Sequence, residues 1–215
     1  MAQLFPRWTN RTPHFAALGT VGSLVVIIFL LWYYGSPKNT DVGYRPDQPV
    51  AYSHKLHAGD LGMDCRYCHW AVDMASHANV PATKTCMNCH MLIGTENEKL
   101  LPVRESWAKQ TPIEWVKVHK APDYAVFNHA AHVDAGIGCI SCHGNVAEMG
   151  KVMQVEPLSM AWCLDCHRQP DPHFRPVSEV TNMKWVPPAD HGEFVKNWKQ
   201  EKNINPPVEC SGCHR

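Results

Sequence analysis

YSHKLHAGDLGMDCRYCH (52–69) and FNHAAHVDAGIGCISCH (127–143) are two copies of one pattern. Each opens on an aromatic residue, carries His-x-x-His, passes through a glycine-containing turn and ends on Cys-x-x-Cys-His. A second pair follows: VPATKTCMNCH (80–90) parallels EPLSMAWCLDCH (156–167), each with a proline shortly before its cysteines. A fifth Cys-x-x-Cys-His stands at 210–214. The first cysteines of successive motifs are 21, 53, 24 and 47 residues apart, short then long, twice. The chain therefore reads as two duplicated two-motif modules (52–90 and 127–167) and a terminal motif.

All ten cysteines lie in these motifs: Cys65/Cys68, Cys86/Cys89, Cys139/Cys142, Cys163/Cys166 and Cys210/Cys213. A zinc ribbon or a redox dithiol needs no histidine directly after the second cysteine. Covalent c-type haem attachment does. The two thiols form thioethers to the porphyrin, and His69, His90, His143, His167 and His214 become proximal iron ligands. The sequence thus predicts five covalently bound haem c groups and leaves no cysteine for disulfides.

Length and composition agree. The chain has 215 residues, no net formal charge and 45% hydrophobic content, which excludes a disordered tail and a strongly basic nucleic-acid binder. Seventeen prolines and thirteen glycines suit a loop-rich wrapping around cofactors. The expected fold is mostly α and irregular, with little regular secondary structure and porphyrins supplying much of the buried apolar surface. Helices are expected after a capping box at Thr95/Glu98, over LLPVRESWAK, and at Glu193–Lys202. The stretch 168–209, with seven prolines, reads as a long wrapping loop. Trp107, Trp115, Trp185 and Trp198 are expected to cover porphyrin edges or line subunit contacts.

Phe15 to Tyr34 is a run without charge, about 30 Å long as a helix, enough to cross a bilayer. Arg7 and Arg11 precede it and aromatic residues end it, so the positive-inside rule puts residues 1–14 in the cytoplasm. The run is longer than a signal-peptide core and no small-x-small cleavage site follows, which favours an uncleaved anchor at 15–34. A linker (35–49) then leads to the haem domain (50–215). Haem attachment of this type implies export, so the haem domain is expected in the periplasm, on a single-pass bacterial inner-membrane protein.

Five irons with one histidine each need five more ligands to serve as low-spin carriers. Each His-x-x-His places two imidazoles on one helical face, so His54, His57, His129 and His132 are the expected distal ligands. The fifth is open among His119, His77 and His173, or a thioether from Met160 or Met153; a thioether would raise that haem's potential. No nucleophile–base pair, phosphate loop or Cys-x-x-Cys-Lys variant marks a catalytic centre.

Together these motifs, with VHKAPDYAVFNHAAHVDAGIGCISCHG and PLSMAWCLDCHR, resemble the pentahaem cytochrome c subunit of alternative complex III, a bacterial quinol oxidoreductase. The resemblance covers nearly the whole chain. It implies an electron-transfer subunit, not an enzyme on its own, in a respiratory-chain complex. The expected partners are integral membrane subunits that oxidise quinol, an iron–sulfur subunit and a monohaem cytochrome c. The acceptor would be a soluble cytochrome c or a terminal oxidase. The resemblance also implies distal roles for His54, His57, His119, His129 and His132, with Met160 a further candidate. A self-sufficient, membrane-anchored quinol dehydrogenase feeding a periplasmic reductase is the alternative. A multihaem reductase is a third reading and needs an iron without a sixth ligand.

Overall fold

A computed structural model describes residues 5–35 and 41–214. The chain divides into two compact units, Met1–Thr40 and Asp41–Arg215. Parts of the expected cytoplasmic terminus (1–4) and linker (36–40) lie outside the described residues.

In the first unit a 3-10 turn (Arg7–Arg11) runs into helix α1 (Thr12–Gly35), which begins three residues before the expected span. Pro13 sits in the first turn, where its missing N–H breaks no helical bond. The side chains of α1 are apolar on every side and none is buried. Such a helix has no single face to pack on a soluble core. It is the one helix among the described residues long and apolar enough to cross a membrane.

The second unit is a series of short helices joined by irregular chain: α2 (Cys65–Cys68), α3 (Thr83–His90), α4 (Leu101–Lys109), α5 (His129–Asp134), α6 (Ile140–His143), α7 (Met160–Arg168), α8 (His191–Glu201) and α9 (Cys210–Cys213). Among the described residues there is no strand, only an isolated bridge between Ile137 and Phe174. The expected helix at 193–202 is α8. The expected capping box is replaced: Asn97, not Thr95, accepts from the Lys99 N–H at the start of a 3-10 turn that leads into α4. Pro102 falls in the first turn of α4 and so starts the helix without kinking it.

Among the described residues, buried apolar side chains include two small clusters. Val50, Met87 and Val103 pack with Trp107 and Trp115, while Val72, Val133 and Val180 join the first module to the second. Neither is a core in proportion to a unit of this length. The tryptophans are placed by protein contacts. Trp198 donates from Nε1 to the Ala135 carbonyl, 2.8 Å, and Trp185 lies under the Arg175 guanidinium.

The modules interlock reciprocally. The loop after the first motif receives α5: the His129 and Ala130 N–H groups donate to the Ser76 and Ala75 carbonyls, both at 3.2 Å. The loop after the third motif receives the first His-x-x-His turn, where the Lys55 N–H donates to the Met149 carbonyl, 3.0 Å. There the chains approach so closely that a Cβ on Gly59 would collide with the Ala147 carbonyl.

Candidate haem-binding sites

Every Cys-x-x-Cys-His lies in or on a helical turn. The His69, His143 and His214 N–H groups each donate to the carbonyl of the first cysteine of their motif, at 2.9, 3.0 and 2.9 Å. This i→i−4 turn places residues i, i+3 and i+4 on one side. Both thiols and the imidazole can therefore address one porphyrin. None of the ten cysteines is paired in a disulfide.

The histidines pair across space with a regular spacing. His54 and His69 have ring centroids 6.5 Å apart, His57 and His90 6.2 Å, His129 and His143 6.4 Å, and His132 and His167 6.1 Å. Metal–imidazole bonds are about 2.0 Å and the ring centre lies roughly 1.2 Å behind the nitrogen, so two rings sharing an iron stand about 6.4 Å apart. The residues present fit bis-histidine haems at four motifs, and the fit repeats between the modules.

Hydrogen bonds leave the correct ring nitrogen free. Nδ1 of His69 meets the Asn79 carbonyl (2.6 Å), His90 that of Ile93 (2.9 Å), His167 that of Pro207 (2.7 Å) and His214 that of Tyr124 (3.0 Å). On the other side of the pairs, His57, His129 and His132 meet the carbonyls of Ser53, Ser76 and Asn128 at 2.9, 2.9 and 2.8 Å. A carbonyl only accepts, so Nδ1 carries the proton and the Nε2 lone pair is available to a metal. Such outer contacts fix ring orientation and raise ligand basicity. Side-chain patterns gave no sign of these carbonyls, since every residue carries one.

The aromatic residue opening each repeat clamps its own histidine pair. Tyr52 lies edge-on to His54 (4.8 Å) and stacks on His57 (4.5 Å). Phe127 lies edge-on to His129 (4.7 Å) and tilted against His132 (4.6 Å). Burial pushes His54 down to about 4 and His143 to about 3, so both are neutral at pH 7, the form that binds metal.

The remaining candidates are dispersed. His119 lies edge-on to His143 with centroids 4.3 Å apart, closer than two rings sharing an iron, and its Nε2 is buried without a partner. His77 is exposed, with Nδ1 on the Ser76 hydroxyl. His173 is half-buried in a 3-10 turn, and Met160 starts α7 at 66% exposure. His191 uses Nε2 on the Phe174 carbonyl, 2.8 Å. Among the described residues, His214 makes a ring contact with Tyr124 and none with an imidazole.

No protein-family model matches the chain. It is similar to the menaquinone reductase, multihaem cytochrome c subunit, of Nitratidesulfovibrio vulgaris strain Hildenborough, 33% identical over 125 residues. The match spans 57% of this chain and 56% of that protein, so just over half of the relative's length is represented. The relative, the motifs and the paired imidazoles converge on one class, a multihaem c-type cytochrome.

Proposed function

We propose that this chain is a membrane-anchored pentahaem cytochrome that relays electrons from quinol oxidation to a periplasmic cytochrome c or terminal oxidase, as a subunit of an alternative complex III-like assembly. The observation that carries the relay is the fourfold recurrence of imidazole pairs at 6.1 to 6.5 Å. When bound, haem supplies one-electron chemistry, its iron alternating between ferric and ferrous.

The chain's own residues supply the rest. Thiols at the five motifs tether the group, and proximal His69, His90, His143 and His167 face distal His54, His57, His129 and His132. Two nitrogen ligands on an iron leave no position open for substrate, as a carrier requires. His214 serves the fifth motif; its distal ligand comes from His119, His77, His173 or Met160. Helix α1 anchors the array in the bacterial inner membrane, with the haem domain in the periplasm. The named partners are integral membrane subunits, an iron–sulfur subunit and a monohaem cytochrome c.

The relative's name favours a second reading in which electrons run the other way, from a periplasmic donor into menaquinone. Purification from membranes with subunit identification, followed by assays in both directions, separates them. Quinol-dependent reduction of the haems supports the first, and quinone-dependent oxidation of pre-reduced haems with no reverse activity supports the second. Quinol oxidation by the isolated chain would instead support the self-sufficient dehydrogenase.

A further inference from the structure

The attachment motifs are not arranged in space as they are in sequence. Motif 2 touches motif 1: the Asn88 amide donates to the Tyr67 hydroxyl, 3.2 Å. His54 and His57, on one turn, face motifs 1 and 2 respectively.

Motif 1 then meets motif 3, although motif 2 and a further 64 residues lie between them in the chain. Both motifs are tied to one segment. The Thr181 hydroxyl donates to Asp64 (2.7 Å), Arg66 reaches the Val177 carbonyl (3.4 Å), and the Cys139 N–H donates to the Val180 carbonyl (2.9 Å). The Val72–Val133–Val180 cluster and the bonds from α5 to Ser76 and Ala75 close the same junction.

Motif 3 leads to motif 4 through α5, whose His129 faces His143 and whose His132 faces His167. Motif 4 leads to motif 5. His167 donates to the Pro207 carbonyl, three residues before Cys210, at 2.7 Å. Cys89 and Cys210, in motifs 2 and 5, are the two exposed cysteines.

We propose that the haems form one unbranched line in the order of motifs 2, 1, 3, 4, 5, joined at the module interface between motifs 1 and 3. Its ends, motifs 2 and 5, are where one electron enters for each that leaves. This order rests on the relay reading given above.

An iron-resolved structure of the full-length holoprotein tests the order directly. The motif 1 iron should have the irons of motifs 2 and 3 as nearest neighbours, and the motif 2 iron only that of motif 1. A motif 2 iron closer to motif 3 than motif 1 is would overturn it. A kinetic test uses a photosensitiser on Leu92→Cys, a site 88% exposed beside motif 2. With Cys65→Ser/Cys68→Ser added, flash-injected electrons should no longer reach the other haems; undiminished onward transfer overturns the line. If that variant does not fold, the wild-type iron positions decide. A holoprotein without covalent haem by the pyridine haemochrome assay would sink the relay reading itself, whereas covalent haems in another order sink only this one.

Discussion

The first and second repeats share a sequence pattern yet reach the same ligand geometry through different backbones. The second carries its histidines on α5, an α-helical turn (His129–Asp134). The first carries them at the start of a π-helical turn (Lys55–Asp60). The first repeat is longer by one residue, and the π-turn absorbs it. The Met63 N–H reaches back six residues to the His57 carbonyl (3.0 Å), where the Ile137 N–H reaches back five to His132 (2.9 Å). Each follows a glycine of positive φ, Gly62 at 67° and Gly136 at 86°. A π-bulge is the usual way a helix takes in one residue without losing its register. The spacing of the imidazole pairs, rather than the helix type, is what the two repeats hold in common.

The repeats also differ in how the distal imidazoles are held. His129 is anchored on the Ser76 carbonyl, whereas Nδ1 of His54 is buried without a partner. An anchored imidazole is the more basic ligand and favours the ferric iron.

The largest expected effect comes from removing one haem. Cys139→Ser/Cys142→Ser should lower haem stoichiometry by one and cost several kcal/mol, a fall in Tm on the order of 10 °C, because the aliphatic clusters are too small to hold the module interface. An unchanged melt would show that the protein core suffices without the cofactor.

Next in size are ligand exchanges. His54→Met and His129→Met should each raise one midpoint potential by on the order of 100 mV and leave the iron low-spin. Equal shifts would mean that the missing anchor at His54 has no electronic consequence. A titration unchanged by either variant would remove that histidine from the ligand set.

Smaller is the backbone effect of Gly136→Ala, where the positive φ is combined with a clash against the Arg175 carbonyl. We expect a loss of about 2 kcal/mol in thermal or denaturant unfolding. Gly62→Ala has the same strained φ but open space around it and should cost less, about 1 kcal/mol. A reversed ranking would contradict the close packing of the second repeat.

The smallest effect is that of pH. In the folded chain burial holds His54 near 4, below its ordinary 6.5, so the unfolded chain takes up a proton first as the medium is acidified. Stability from this site is complete above pH 6.5 and should decline as pH falls toward 4, followed as Tm. For His129 burial acts in the same direction but the Ser76 bond opposes it, so its decline should be shallower.

Much of the site could be read directly. Cys-x-x-Cys-His is local chemistry, fixed by one helical turn, so the candidate attachment residues and proximal histidines are legible in the sequence alone. The duplicated His-x-x-His also exposed the distal candidates, because two ligands one turn apart are a local pattern too. The fold class followed from a chain with many prolines and little aliphatic core. Helix α8 was legible from its composition, but the start of α4 was not, because Asn97 and Thr95 are equally good caps and only the path of the chain chooses between them.

Sequence by itself gave the haem-attachment motifs, the duplicated pattern and the apolar helix, each a matter of residues within one turn or one uninterrupted run. The tertiary structure decided which imidazole faces which, placed His119 against His143, and brought motif 1 beside motif 3. Those relations join residues more than a dozen positions apart. They depend on how loops return and on backbone carbonyls such as those of Asn79, Ser76 and Pro207, which bind alike whatever side chain they bear.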